Sequence, residues 1–119
     1  MSRMDFVLAS SDLGRVAITD DAIAQIVGLT AAECYGVVGT KRSGRLGRLR
    51  MGRRTTRGIE ISGTDRSITI ALHVVVEHGL NLAEVASTVR NRVAYEVGRM
   101  TGLEIAAVEV HIEAVKVSP

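Results

Sequence analysis

The run from Ser67 to Leu103 constrains this chain more than any other, because it spells a strand, a tight turn and a helix with both ends marked. Ile68, Ile70, Leu72, Val74 and Val76 recur at every second residue, the period of a strand with one buried face. His78-Gly79 breaks the run and Asn81 opens a helix. Asparagine is a strong N-cap, and Glu84 stands three residues on, in capping-box position. Leu82, Val85, Ala86, Val89, Val93, Val97 and Met100 follow at spacings of three and four, which predicts one apolar stripe facing a core. Gly102 falls where a left-handed residue closes a helix, and Leu103 supplies the apolar contact that usually follows.

The other elements are shorter. Gly14 to Ile18 reads as a strand. Thr19 then caps a helix from Asp20 to Cys34, with Asp20 and Asp21 at the end where the helix dipole favours negative charge. Its expected stripe is Ile23, Ile26, Val27, Thr30, Ala31 and Cys34. Gly36 ends it, and Val37 to Gly39 forms a second short strand. Gly58 to Ser62 and Ser67 to Glu77 make an antiparallel hairpin about the turn Gly63-Thr64-Asp65-Arg66. The last strand is Ala106 to Val117. Val115 and Val117 fall on its outward parity, so the strand either bulges or meets a partner at its end.

These elements predict an α+β fold in two layers, one mixed β-sheet carrying both helices on one face, in the order β-α-β-loop-β-β-α-β. Residues 1–12 are expected to be a mobile N-terminal segment, with only Phe6, Val7 and Leu8 docking. Residues 13–119 then form a single domain with a basic loop at 41–57. With 46% apolar and 24% charged residues, the chain has the composition of a folded domain rather than a disordered one. The lone Cys34 rules out an internal disulfide framework and fits a reducing compartment. The longest N-terminal apolar run, Phe6 to Ala9, is too short for a signal peptide, and no stretch approaches the length of a membrane span. A cytoplasmic location is expected, with any membrane association arising through a partner.

Charge is distributed unevenly. Lys41, Arg42, Arg45, Arg48, Arg50, Arg53, Arg54 and Arg57 make the loop +8, with no acidic residue among them. The rest of the chain holds seven basic and thirteen acidic residues, −6, which leaves the net +2. An acidic body thus carries a basic arm. Gly44, Gly47 and Gly52 each disfavour helix by about 1 kcal/mol relative to alanine, so the arm is expected to be an extended, solvated loop.

Four blocks carry a family resemblance. In order they are Gly14 to Thr19, Ala31 to Gly39, Val74 to Leu82 and Met100 to Leu103. Together they make the chain resemble the alkaline-shock, or Gls-type general stress, family of Gram-positive envelope stress response proteins over about Gly14 to Lys116. The resemblance implies a non-enzymatic cytosolic protein that works by protein–protein contact as a scaffold or adaptor. It implies, in some relatives, a membrane-anchor protein as partner; others are encoded beside a fatty-acid kinase, which makes a regulatory partner of such a kinase an alternative, while homo-oligomers are expected to assemble through the exposed sheet face or strand edges. His78 stands where the family more often has tyrosine, and the arm is richer in arginine than the family pattern. No catalytic residue, cofactor or small-molecule substrate is implied.

The residues themselves support no catalytic constellation: there is no P-loop, no nucleophile elbow and no recognisable acid–base carboxylate pair. Cys34 sits at a helix C-terminus, where a thiolate is disfavoured, and reads as a packing residue. His73 and His111 share the outward parity of two strands and are neighbours if those strands pair. A zinc site there would need Glu109 or Glu113 as further ligands, and no tight ligand spacing supports one. With Val75 and Val115 the two histidines form the candidate interface on the exposed sheet face. The arm has three readings. It is a solvated loop, a docking element for an acidic partner or anionic membrane surface, or an RNA-binding element. The last has arginine for phosphate contacts and a G-x-x-G at Gly44 to Gly47, but no aromatic residue for base stacking.

Overall fold

The alternation at Ser67 to Glu77 builds the strand on which everything else is assembled. The computed structural model describes residues 5–40, 55–56, 58–64 and 66–117. Its strands are β1 (Asp5–Ser11), β2 (Gly14–Thr19), β3 (Val37–Thr40), β4 (Thr55–Thr56), β5 (Ile59–Gly63), β6 (Ser67–Glu77) and β7 (Glu104–Lys116). Its helices are α1 (Asp20–Ala32) and α2 (Leu82–Thr101).

Strand β6 uses both of its edges. β5 pairs antiparallel with Ile68 to Leu72, and β3 pairs antiparallel with the next stretch, Val74 to Val76. β7 runs parallel to β6 from Ser67↔Glu104 to Glu77↔Lys116. Because the same β6 residues serve β5 and β7, those two strands lie on opposite edges. A parallel neighbour needs a crossover, and α2 supplies it, making β6-α2-β7 one βαβ unit. The two short strands β4 and β5 are also antiparallel, Thr55↔Glu60 and Thr56↔Ile59.

The helix-facing side of the sheet is the core. Ile59, Ile61, Ile68, Ile70, Leu72, Val74 and Val76 pack there against Ile23, Ala24, Val27 and Ala31 of α1 and Val85, Val89, Val93 and Val97 of α2. Each fully buried valine or isoleucine contributes roughly 1.5–3 kcal/mol of transfer free energy. The predicted α+β architecture, two helices over a mixed sheet, is therefore the one observed.

The helix ends follow the local sequence. Thr19 accepts a hydrogen bond from the Ala22 amide through its hydroxyl, and Asn81 accepts one from the Glu84 amide, both at 3.1 Å. Gly102 closes α2 at φ 75°, its amide donating to Gly98 O at 2.8 Å, and Leu103 is buried behind it. Gly36 turns the chain after α1 at φ 90°. A Cβ there would lie 2.7 Å from Leu80 Cδ1, so the close approach of the two connections requires glycine.

Four expectations are corrected. Residues Asp5–Ser11 form a strand where only Phe6, Val7 and Leu8 were expected to dock; they pair antiparallel with β2, and Phe6 enters the core opposite Ile18. β2 accordingly leaves the main sheet, and the β1–β2 ribbon carries Leu13 fully exposed at its tip. α1 stops at Ala32, with Glu33 as its C-cap and Cys34 just beyond it, still buried. On α2 the buried stripe keeps a spacing of four and ends on Thr101, which leaves Met100 54% exposed. Thr101 is accommodated because its hydroxyl donates to Val97 O at 2.7 Å and accepts from the Leu103 amide at 3.1 Å.

Candidate functional site

On the face of the sheet away from the helices, β6 and β7 bring polar groups together. The parallel register sets His73 directly beside His111, and their rings stack with centroids 4.8 Å apart and planes 17° from parallel. His73 is only 1% exposed, and its Nδ1 lies 2.6 Å from Glu113 Oε2. A carboxylate only accepts, so this contact places the ring proton on Nδ1. Glu109 caps the outer ring, with its Oε1 3.3 Å from His111 Nε2. The result is a chain Glu113–His73–His111–Glu109 across two strands, half of it buried. Glu60 of β5, opposite Ala71, is buried on the same face.

This geometry is not a metal centre. Imidazole lone pairs lie in the ring plane, and two nearly parallel stacked rings cannot both aim at one ion about 2 Å from each nitrogen. Among the described residues no group of three or more histidine, cysteine, aspartate or glutamate side chains is placed to hold a metal. Nor do buried polar side-chain atoms of the described residues lack a hydrogen-bond partner.

The interface expected from His73, Val75, His111 and Val115 does not form one surface. The β6–β7 register slips between Val74↔Ile112 and Val75↔Ala114, so Glu113 is an extra residue in β7. Such a bulge reverses the parity of everything after it. Val115 therefore pairs with the core residue Val76 and lies on the helix side, 41% exposed, while Val75 and His111 remain on the outer face. His73, buried beneath its partners, offers no contact area.

All eight basic residues of the arm lie outside the described residues. Thr40, the residue before the arm, pairs with Val74, and Thr55, just after most of it, pairs with Glu60. The arm is thus attached at two strands on the edge of the sheet opposite β7. Cys34 is buried, its thiol donating to Thr30 O at 3.5 Å, and burial pushes its pKa up more strongly than nearby Arg92 lowers it. A thiol held protonated in this way is a packing group, not a nucleophile.

Sequence reasoning missed the outward face of the helix pair. α1 and α2 lie antiparallel over the sheet, and a groove of about 330 Å³ between them is lined by Ile26, Leu29, Thr30, Glu33, Glu96, Arg99 and Met100. Leu29 is 70% exposed. Arg92 reaches Glu33 at 3.5 Å across the two helices, and Arg99 pairs with Glu96 at 2.6 Å. The signal was present: Leu29 falls off the buried stripe of α1, and Ala22 to Ala32 contains no charged residue, unusual for a face in water. A second, smaller groove of about 260 Å³ lies at the other end of the pair, between Tyr35, Leu80 and Thr88. No helix among the described residues is long and apolar enough to cross a membrane.

Comparison with known proteins agrees with the sequence blocks. The profile of the alkaline shock protein 23 family, of cell envelope-related function, matches residues 9–117. The uncharacterized protein YloU of Bacillus subtilis is 28% identical over 109 residues, covering 88% of this chain and 91% of that protein. The uncharacterized protein YqhY of the same organism is 30% identical over 110 residues, covering 87% of this chain and 78% of that protein. Among solved structures, MamM-CTD 215-293 superposes with a TM-score of 0.48 at 16% identity, covering 79% of this chain and 96% of that one.

Proposed function

The chain belongs to the alkaline shock protein 23 family, of cell envelope-related function, and on that premise we propose that it is a non-enzymatic scaffold or adaptor of the envelope stress response. It works in the cytoplasm by self-association and by contacts with protein partners or the membrane surface. The observation that carries this reading is the partition of charge, +8 within residues 41–57 against −6 in the remainder. A run of basic residues gains about 1 kcal/mol per residue near an anionic surface, and that gain falls off within a Debye length. The arm therefore docks to an acidic partner or an anionic membrane face, while the acidic body is kept off the same surface by repulsion.

The test is co-sedimentation of the full chain with vesicles of phosphatidylglycerol and phosphatidylcholine at increasing salt. The wild-type chain binds at low salt and is released as salt rises, and a variant with the eight basic residues replaced by glutamine does not bind. Equal binding by the two chains, or binding indifferent to salt, would refute the role of the arm. Titration with single-stranded RNA in the same buffers separates the nucleic-acid reading, for which log K would fall with log salt by about 0.7 per phosphate contacted.

A further inference from the structure

Self-association needs a contact, and the sheet leaves one edge open. We infer that two copies of the chain join through β7, antiparallel about a two-fold axis at Val110, so that two five-stranded sheets run on as one. The inference rests on the scaffold reading above and assigns it a surface.

Strand β7 is 13 residues long and, among the described residues, pairs with β6 alone. Its far edge therefore carries a row of main-chain donors and acceptors that a further strand can take up. The core is unfinished on the same side. Ile68, Ile70, Leu72, Val74 and Val76 of β6 are completely buried, whereas no residue of β7 is, and its core-side Ile105, Val108, Val110 and Ile112 are only partly covered.

The register identifies the occupant as a second copy. Directly opposed residues of two antiparallel strands share a face. Set about Val110, the core-side Val108 meets Ile112 and Ile105 meets Val115, while on the outer face Glu109 meets His111 and Glu104 meets Lys116. Bulges ordinarily blunt an edge strand. The two in β7, where Ala106 and Glu113 are the extra residues, instead stand against each other here, Ala106-Ala107 opposite Ala114-Glu113. Each copy thus shares its kinks with the other, and the faces stay in step from Glu104 to Lys116. A slip of two residues in either direction loses this. One slip sets Glu109 against its own image and Ile105 against Glu113; the other sets Glu109 against Glu113 and Val108 against Ala114. Both oppose like charges, which is destabilising, and both turn a core-side residue against an outer one. The strand is not neutral, since Glu104, Glu109 and Glu113 outnumber Lys116. Glu113, however, is held by His73 of its own chain, and the register sets Lys116 opposite Glu104 and His111 opposite Glu109.

The helix layer accommodates the join. Ala86, Arg90, Ala94 and Gly98 each follow a residue of the buried stripe of α2 and lie on its β7 side, where a Cβ at Gly98 would stand 3.7 Å from Ile105 Cγ1. The second copy's α2 runs along this flank, and three of the four residues are small enough to let the helices close. Arg90 is the one charge among the four.

Glu104 and Lys116 are exposed at opposite ends of a strand about 40 Å long, so they meet only between copies, and a charge swap reads that meeting directly. The experiment is sedimentation velocity of the full chain over a concentration series, at low salt and at high salt. The variants are Glu104→Lys, Lys116→Glu and the two together, each checked for its fold by circular dichroism. The wild-type chain forms dimers at both salt concentrations, because main-chain hydrogen bonds and apolar pairs escape the screening that weakens contacts of the arm. At low salt each single reversal weakens dimerisation about three- to tenfold, and the double variant recovers it to within about twofold of wild type. Val110→Cys, at the position that meets its own image, forms a disulfide-linked dimer under mild oxidation, whereas the wild-type chain, with Cys34 buried, does not. Single reversals without effect, a double variant that stays weak, no cross-link at position 110, or dimers that dissolve with salt alone overturn the β7 contact while leaving the scaffold reading standing. A wild-type chain that is monomeric throughout overturns the contact too; joined to a failure to bind vesicles, it takes the scaffold reading with it.

Discussion

Removing the Glu113 carboxylate strands a buried ring nitrogen, and the size of the penalty can be worked from the structure. His73 is 1% exposed and its Nδ1 is 2.6 Å from Glu113 Oε2. In Glu113→Ala the Nδ1–H loses that acceptor, and an unsatisfied buried donor costs about 1–3 kcal/mol. Glu113 is itself only partly buried, so little of its own desolvation is recovered, and the expected loss is about 2 kcal/mol. For a domain of this length that corresponds to roughly 8 °C in Tm, at about 4 °C per kcal/mol. Glu113→Gln keeps an acceptor without the charge and should lose about half as much. The decisive comparison is a double-mutant cycle with His73→Phe, which fills the site, retains a ring over His111 and has no N–H to strand. In that background Glu113→Ala should cost close to nothing, giving a coupling of about 1.5–2 kcal/mol by urea denaturation monitored by circular dichroism. A Glu113→Ala loss below about 0.5 kcal/mol, or the same loss with and without His73, would refute the hydrogen-bond argument.

Two glycines separate steric from backbone effects. A Cβ at Gly63, φ 132°, would lie 2.2 Å from Ser67 O, whereas one at Gly102, φ 75°, meets open space. Gly63→Ala should therefore destabilise by about 3 kcal/mol or more and Gly102→Ala by about 1 kcal/mol in urea melts. Thr101→Val exchanges a hydroxyl for a methyl and leaves the Leu103 amide without its side-chain acceptor, a loss of about 1–2 kcal/mol in the same assay. Cys34 has its pKa raised by burial from the ordinary 9.0, so the folded state holds the thiol proton more tightly than the unfolded state. The resulting stability is fully present below pH 9 and is lost as pH rises through the folded value. Melting temperature should accordingly fall more steeply above pH 9 in the wild-type chain than in Cys34→Ala, and iodoacetamide should label the native thiol far more slowly than the denatured one.

What could be read from the sequence was what is written locally. The β6-α2 unit was legible because period, cap and closing glycine all lie within the segment they specify. The neighbourhood of His73 and His111 was legible only conditionally, since it depends on β7 pairing with β6 rather than with another strand. Val115 shows where such reasoning stops: its apolar side chain on the outward parity raises a bulge as one of two readings, but only the pairing with β6 decides for it and places the extra residue at Glu113. The N-terminal strand failed for a similar reason. Its own pairing slips between Val7 and Ala9, which blurs the period-two signal that would have revealed it. Met100 and Thr101 illustrate a different limit. Apolarity favoured methionine for the core, but the axial drift of α2 turned threonine inward, and two hydrogen bonds made its hydroxyl tolerable there.

β6 is the one strand that every other member of its sheet except β4 touches directly, and that placement has a kinetic consequence. Its partners come from both directions along the chain, β3 and β5 from upstream and β7 from beyond the helix. β5 and β6 can zip across their short turn, but β3 and β7 reach β6 over long connections, so completing the sheet must close those loops before their ladders reward it. Once closed, the amides from Ile68 to Val76 have no route to solvent short of dismantling the whole sheet. They should be the slowest to exchange with deuterium, at the free energy of global unfolding, while those of the β1–β2 ribbon exchange through fraying of its tip.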